Sequence, residues 1–141
     1  MKTELPADAK KILVVDDNHV ILKAMSLALT AKGYRVLTAD SGAGTLAILR
    51  VEKPDLILLD VGFPPDGSYV SSPFHDGFLI LDWARRTCDA EKIPVFVISS
   101  SDPAEYKARA HAFGVLTFFK KPVDNQELLT AIEAQLGKKT G

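Results

Sequence analysis

Five short apolar runs, separated by segments with helical spacing, are the feature that most constrains the fold of this chain. Most of the runs are continuous rather than alternating, which is typical of strands buried on both faces of a parallel sheet. The second run is interrupted by Arg35, which predicts a strand at the edge of the sheet. The predicted strands cover residues 12–15, 34–37, 56–59, 95–98 and 115–119.

The segments between and after these runs carry signals of helix ends. Helices are predicted over about residues 21–32, 41–52, 78–86, from 102 onward and 124–137. Gly33 is a natural residue to end the first helix. Asp102 and Asp124 are each followed three residues later by a glutamate, the spacing of a capping box. Repeated alternation of strand and helix with right-handed crossovers predicts a doubly wound α/β fold.

Composition narrows the class of protein further. A chain of 141 residues has the length of one domain. Its formal net charge of −1 argues against a strong electrostatic grip on nucleic acid or on an anionic membrane. Cys88 is the only cysteine, so an intramolecular disulfide is impossible and a cytoplasmic location is favoured over secretion. No apolar stretch approaches the roughly 18–20 residues of a membrane span.

Charged and polar side chains follow four of the predicted strands. Asp16 and Asp17 come after the first, Asp60 after the third, Ser99 after the fourth and Lys121 after the fifth. The carboxyl ends of parallel strands share one edge of the sheet, where ligands bind. Two carboxylates about 4 Å apart repel by roughly 4 kcal/mol at an effective dielectric near 20, so three together favour a cation. Hard oxygen ligands suit Mg²⁺. Taken alone, Asp16 or Asp17 is explained as well by an N-cap role at the start of the next helix as by a role in binding a cation.

Several motifs at these positions carry a family resemblance. They are ILVVDD at residues 12–17, LILLD at 56–60, PVFVISS at 94–100 and FFKKP at 118–122, with ADSG at 39–42 and DGFLIL at 76–81 as weaker matches. In this order and spacing they resemble the receiver domain of two-component response regulators over about residues 10–137. The resemblance implies a flavodoxin-like fold, with five helices around a five-stranded parallel sheet of strand order 2-1-3-4-5.

The same resemblance implies a role for each residue at the strand ends. Asp60 matches the phosphoacceptor, a carboxylate nucleophile that attacks a phosphohistidine on a partner. Asp16, Asp17 and Asp60, with the backbone carbonyl of Gly62, match the ligands of Mg²⁺. Lys121 matches the lysine that pairs with the phosphoryl oxygens.

Two further residues match the family's conformational switch. Ser99 corresponds to the hydroxyl that turns toward the attached phosphoryl group, and Phe118 to the aromatic residue whose rotamer follows it. The surface that changes is formed by the fourth helix, the fifth strand and the fifth helix, and a few kcal/mol suffice to shift such an equilibrium.

The implied function is a phosphorylation-activated signalling switch. A histidine kinase or phosphotransfer protein phosphorylates Asp60, and the changed surface then controls a downstream protein. Such a chain is not an enzyme toward a separate substrate, because it catalyses only its own phosphotransfer and autodephosphorylation. We expect a cytoplasmic monomer or weak dimer that contacts neither nucleic acid nor membrane.

Alternative functions remain open at this point. Haloacid-dehalogenase phosphatases also place an aspartate after a strand, but they require a second aspartate where this chain has Gly62. A receiver fold without phosphorylation, acting as an interaction module, is opposed by the joint presence of the acidic residues, Ser99 and Lys121. A dinucleotide-binding site is excluded because no G-x-G-x-x-G turn follows the first strand.

The expected domain organisation is simple. Residues 1–9 form a flexible N-terminal tail, residues 10–137 the receiver domain and residues 138–141 a C-terminal tail. An extended loop over about residues 63–76 is longer than the 2–6 residues or so of an ordinary βα connection. No output domain follows the fifth helix, which indicates a stand-alone receiver; a fragment of a larger regulator or hybrid kinase is the alternative.

Overall fold

The computed structural model describes residues 9–60, 86, 93–99, 115–121 and 123–136. Several predictions lie outside this set: the fourth helix, the extended loop at 63–76, Gly62, and the third helix apart from Arg86. The two tails lie outside it as well, except for Ala9, which is buried.

Five parallel strands form a single sheet. They are β1 (Lys11–Val15), β2 (Arg35–Ala39), β3 (Leu56–Asp60), β4 (Val95–Ser99) and β5 (Val115–Lys120), in the order β2-β1-β3-β4-β5. The predicted strand order and the edge position of β2 are confirmed. β2 begins one residue later than predicted, because the backbone N–H of Tyr34 donates to Leu29 O at the end of the preceding helix instead.

The described residues contain three helices over their full length, α1 (His19–Ala31), α2 (Gly42–Val51) and α3 (Asn125–Leu136), of which α3 is the fifth predicted helix. Arg86, in the predicted third helix, is also helical. The expected end signals are present. Ser41 caps α2 and Asp124 caps α3, each with its side-chain oxygen accepting backbone N–H groups of the first turn. Gly33, just after the Lys32 C-cap of α1, has a φ of 95°, a conformation that favours glycine.

Buried side chains form one hydrophobic cluster on each face of the sheet. The α2-side cluster contains alternate residues of the central strands together with Leu46 and Leu49 of α2. The α1-side cluster contains the remaining strand residues together with Leu22 of α1 and Leu128 of α3. Each such side chain contributes about 1.5–3 kcal/mol when fully buried. Helices therefore cover both faces, as the continuous apolar strands predict.

An irregularity between β4 and β5 fixes which residues of β5 reach the carboxyl edge of the sheet. Val95 pairs with Val115, but Phe96 pairs with Thr117, so β5 contains one extra residue. Beyond this bulge Phe118 packs against the α2-side cluster and Phe119 against the α1-side cluster. The strands then stay in register up to the pairing of Ser99 with Lys120.

No helix among the described residues is long and apolar enough to cross a membrane.

Candidate functional site

Three carboxylates meet at the carboxyl edge of the sheet. Asp60 is the last residue of β3, and Asp16 and Asp17 follow β1, its parallel neighbour. One carboxylate oxygen from each lies within 4.8 Å of the others. We call these three residues the acidic cluster. Asp16 is buried, Asp60 is partly buried and Asp17 is exposed, so the cluster spans from the protein interior to solvent.

Lys121 brings an ammonium group to the acidic cluster. Its Nζ lies 3.1 Å from Asp16 Oδ2 and 3.3 Å from Asp60 Oδ2. Burial lowers the pKa of Lys121, but the nearby charges of Asp60 and Asp16 outweigh burial and hold that pKa above its usual value. Lys121 therefore stays charged and neutralises part of the cluster. Among the described residues, this ammonium pairs with two of the three carboxylates, so negative charge remains in excess.

The shortage of positive charge changes the acidity of Asp60. Burial, together with the charge of Asp16 and more weakly that of Asp17, raises the pKa of Asp60 to about 6. The contact with Lys121 opposes this rise without cancelling it. A second cation beside Asp60 would remove the remaining repulsion.

The donor set of the acidic cluster fits a magnesium ion. All three side chains offer hard carboxylate oxygens close enough to share one ion. The exposed side of Asp17 leaves room for water molecules, which Mg²⁺ retains in most protein sites. Asp16, Asp17 and Asp60 are thus the described residues that could hold Mg²⁺, and the fourth expected ligand, Gly62, lies outside the described residues.

The segment that carries Asp16 is fixed by hydrogen bonds. Asp16 Oδ1 accepts from the Asn18 backbone N–H at 2.9 Å, and the Asp16 N–H donates to Ala39 O at 3.1 Å. The Asn18 side chain caps α1 by accepting from Val20 N and Ile21 N. The alternative of an aspartate N-cap is therefore wrong. Asparagine is among the preferred N-cap residues, so the residue type of Asn18 is itself a sequence signal for the start of α1.

Ser99 and Phe118, the two predicted switch residues, lie on adjacent strands. Ser99 ends β4 and is 1% exposed, and its carbonyl accepts the Lys121 backbone N–H at 2.8 Å. Phe118 pairs with Val97 on β4 and is partly buried. The structure thus brings Ser99 and Phe118 to the strand pair that also positions Lys121.

One contact at this edge has no counterpart in the sequence-based predictions. His19 Nε2 lies 2.7 Å from Asp40 Oδ2, linking the first residue of α1 to the residue after β2. The partners are 21 residues apart in sequence, and no local pattern indicates their pairing.

Comparisons with known proteins define the class. The family model for the response regulator receiver domain matches residues 12–133. The chain is 30% identical to sporulation initiation phosphotransferase F of Bacillus subtilis, over 93% of this chain and 97% of that protein. It is 29% identical to protein PilH of Pseudomonas aeruginosa, over 89% and 97% respectively.

Longer relatives and solved structures give the same result. The chain is 32% identical to the transcriptional regulatory protein KdpE of Mycobacterium tuberculosis but spans only 52% of its length. The fold is similar to chemotaxis protein CheY4 of Vibrio cholerae, with a TM-score of 0.78 and 26% identity over 91% of this chain and 99% of that one. This chain belongs to the response regulator receiver domain family of two-component signal transduction.

Proposed function

We propose that Asp60 accepts a phosphoryl group from a phosphohistidine on a histidine kinase or phosphotransfer protein, in the presence of Mg²⁺. The observation that carries this proposal is the acidic cluster, with Lys121 in contact with two of its three members. The phosphorylated chain then controls a downstream protein in the cytoplasm, as a monomer or weak dimer. It acts on no separate substrate.

The proposed step needs positioning and charge neutralisation more than further covalent chemistry. A carboxylate oxygen of Asp60 attacks phosphorus; the new P–O bond forms as the P–N bond to the donor imidazole breaks, and the imidazole keeps the electron pair. Asp16, Asp17 and Asp60, with the Gly62 carbonyl, would hold Mg²⁺, which supplies positive charge for the phosphoryl oxygens. Lys121, already 3.3 Å from Asp60, pairs with the same oxygens and in doing so exchanges a carboxylate partner for a phosphoryl one.

The response to phosphorylation is assigned to Ser99 and Phe118. The attached phosphoryl group adds acceptor oxygens next to the end of β4, and the Ser99 hydroxyl donates to one of them. Movement of Ser99 frees space for Phe118, which packs at the margin of the α2-side cluster. The surface around β5 and α3 thereby acquires two states that the phosphoryl group biases.

Exposed apolar side chains on α1, the helix that follows Asp16 and Asp17, support a protein donor. Val20 and Leu27 on α1 are 77% and 65% exposed, and they lie seven residues, about two helical turns, apart on one face. Val20 lies in the first turn of α1, three residues after Asp17. A donor that delivers its histidine to Asp60 would cover this end of α1 and remove Val20 from water.

Phosphorylation from a small phosphodonor tests the proposal most simply. We expect intact-mass measurement to show one added phosphoryl group on the parent protein when Mg²⁺ is present, and none on Asp60→Asn. Asp55→Asn is the matched control, because Asp55 precedes the opposite end of the same strand β3. It should label like the parent.

Other results would contradict the proposal. Equal labelling of the parent and Asp60→Asn would assign the phosphoryl group to another residue. No labelling of the parent, either by a small donor or by a kinase, would favour the interaction module without phosphorylation.

A further inference from the structure

The His19–Asp40 contact joins the turn between β1 and α1, which carries Asp16 and Asp17, to the end of β2. We call this contact, together with the hydrogen bond from the Asp16 N–H to Ala39 O, the brace. His19 Nε2 and Asp40 Oδ2 are 2.7 Å apart. One residue earlier in each segment, Asn18 caps α1, and the carbonyl of Ala39 accepts the N–H of Asp16. The turn between β1 and α1 is therefore attached to the end of β2 both before and after Asp17.

Asp17 depends on this brace more than its neighbours do. Asp16 is held by its own hydrogen bonds with Asn18 and Lys121, and Asp60 by the β3 ladder and Lys121. Asp17 is exposed, and its position follows from the backbone on either side of it. Mg²⁺ demands near-ideal octahedral geometry, so a small displacement of one carboxylate weakens binding.

We propose that His19 and Asp40 are positioning residues, which hold Asp17 at the distance from Asp16 and Asp60 that Mg²⁺ requires. The inference rests on the proposed Mg²⁺ site and concerns its affinity. Neither His19 nor Asp40 is assigned as a ligand. The pair is mostly solvent-exposed, with side-chain exposures of 75% and 51%, so its loss should change Mg²⁺ affinity while the fold remains intact.

The expected effect follows from the strength of an exposed pair. His19→Ala should raise the dissociation constant for Mg²⁺ about two- to fivefold, the range that one such contact supports. Asp40→Ala should raise it about as much, because it removes the same contact. In the Asp40→Ala background, His19→Ala should have no further effect, since the contact is already absent.

Calorimetric titration of the full chain with Mg²⁺, at one fixed pH, measures these constants. His19→Gln restores an N–H donor at nearly the same position as Nε2 and should recover affinity close to the parent's. The matched control is the Lys11–Glu52 pair, 2.9 Å apart and partly exposed. Lys11→Ala should change the metal-free melting temperature about as little as His19→Ala does, and leave Mg²⁺ affinity unchanged.

The outcomes separate this inference from the proposed function. If the parent binds no Mg²⁺, the proposed metal site fails and the inference falls with it. If the parent binds Mg²⁺, three results overturn the inference alone: an unchanged constant for His19→Ala, an equal His19→Ala effect in the Asp40→Ala background, or a failure of His19→Gln to recover affinity.

Discussion

The amino and carboxyl edges of the sheet differ in how far their charged side chains are neutralised. At the amino edge, the Asp55 carboxylate accepts the Lys11 backbone N–H at 2.8 Å, while Lys11 Nζ pairs with Glu52 at 2.9 Å. At the carboxyl edge, the described ammonium of Lys121 contacts two of the three carboxylates of the acidic cluster. The first arrangement matches donors to acceptors, and the second leaves negative charge in excess.

This difference separates what stabilises the fold from what the fold presents to a ligand. Burial and the excess negative charge raise the pKa of Asp60 to about 6, which means that this carboxyl ionises less readily in the metal-free protein than it does in water. A divalent cation would reverse that penalty, and under the proposed function a phosphoryl group paired with Mg²⁺ and Lys121 would neutralise the site. The carboxyl edge therefore has a charge excess that lowers stability and that the proposed binding would relieve, whereas the described part of the amino edge has none.

Removing the ammonium from the carboxyl edge should have the largest effect. We expect Lys121→Met to slow phosphorylation by a small donor about a hundredfold, since one charged donor to the phosphoryl oxygens is lost. The metal-free protein should lose about 1–3 kcal/mol of stability because two carboxylates lose their partner. Mg²⁺ should still bind. Lys120→Met, at the exposed neighbouring lysine, is the control and should match the parent. A variant that loses Mg²⁺ binding yet is phosphorylated normally would contradict the assignment.

Removing a carboxylate from the carboxyl edge should stabilise the metal-free protein. The folded protein holds the Asp60 proton up to about pH 6, whereas the unfolded chain releases it near 3.8, so stability falls as pH rises through this window. Asp60→Asn removes that loss and should gain about 1–3 kcal/mol at neutral pH. Thermal melts without metal measure it. If parent and variant melt with the same pH dependence, Asp60 carries no such strain.

The exposed valines at the two edges provide a matched pair. Val20, near the carboxyl edge, and Val51, at the far end of α2, are 77% and 79% exposed. Val20→Lys should reduce phosphotransfer from a protein donor by about tenfold, the loss typical of a central contact. It should leave labelling by a small donor unchanged, and Val51→Lys should change neither. Equal transfer to both variants would place the donor contact elsewhere.

Breaking the pair at the amino edge should have the smallest effect. Glu52→Gln removes one partly exposed ion pair and should cost at most about 1 kcal/mol of stability in urea unfolding. Neither Mg²⁺ affinity nor phosphorylation should change. An effect of Glu52→Gln on phosphorylation would show that the two edges are not independent.

Sequence reasoning was most successful where the signals are local. The edge strand and the cap at Asp124 follow from the apolar runs and from end signals within a few residues, whereas the strand order follows from the family resemblance. The members of the acidic cluster were also predictable, because parallel strands place their carboxyl ends together. The predicted start of α1 was wrong. The helix begins at His19 with Asn18 as its N-cap, whereas the apolar spacing predicted a start at about residue 21.

The remaining features depend on contacts that are distant in sequence. The extra residue in β5 is set by pairing with β4, and it decides that Lys120 lies opposite Ser99 and that Lys121 follows at the edge. The hydrogen bond of His19 with Asp40 joins two segments that no periodicity relates. The raised pKa of Asp60 depends on burial and on distances to neighbouring charges. Such features follow from tertiary packing, so the pattern along the chain does not reveal them.

The central claim, that the carboxyl edge holds more negative charge than its own residues neutralise, is tested most directly by titrating the Asp60 carboxyl. Carbon-detected NMR of the metal-free protein follows this group as pH changes. The account predicts a pKa of about 6, falling when Mg²⁺ is added. An Asp60 pKa near 3.8 in the absence of metal, unmoved by Mg²⁺, would contradict it.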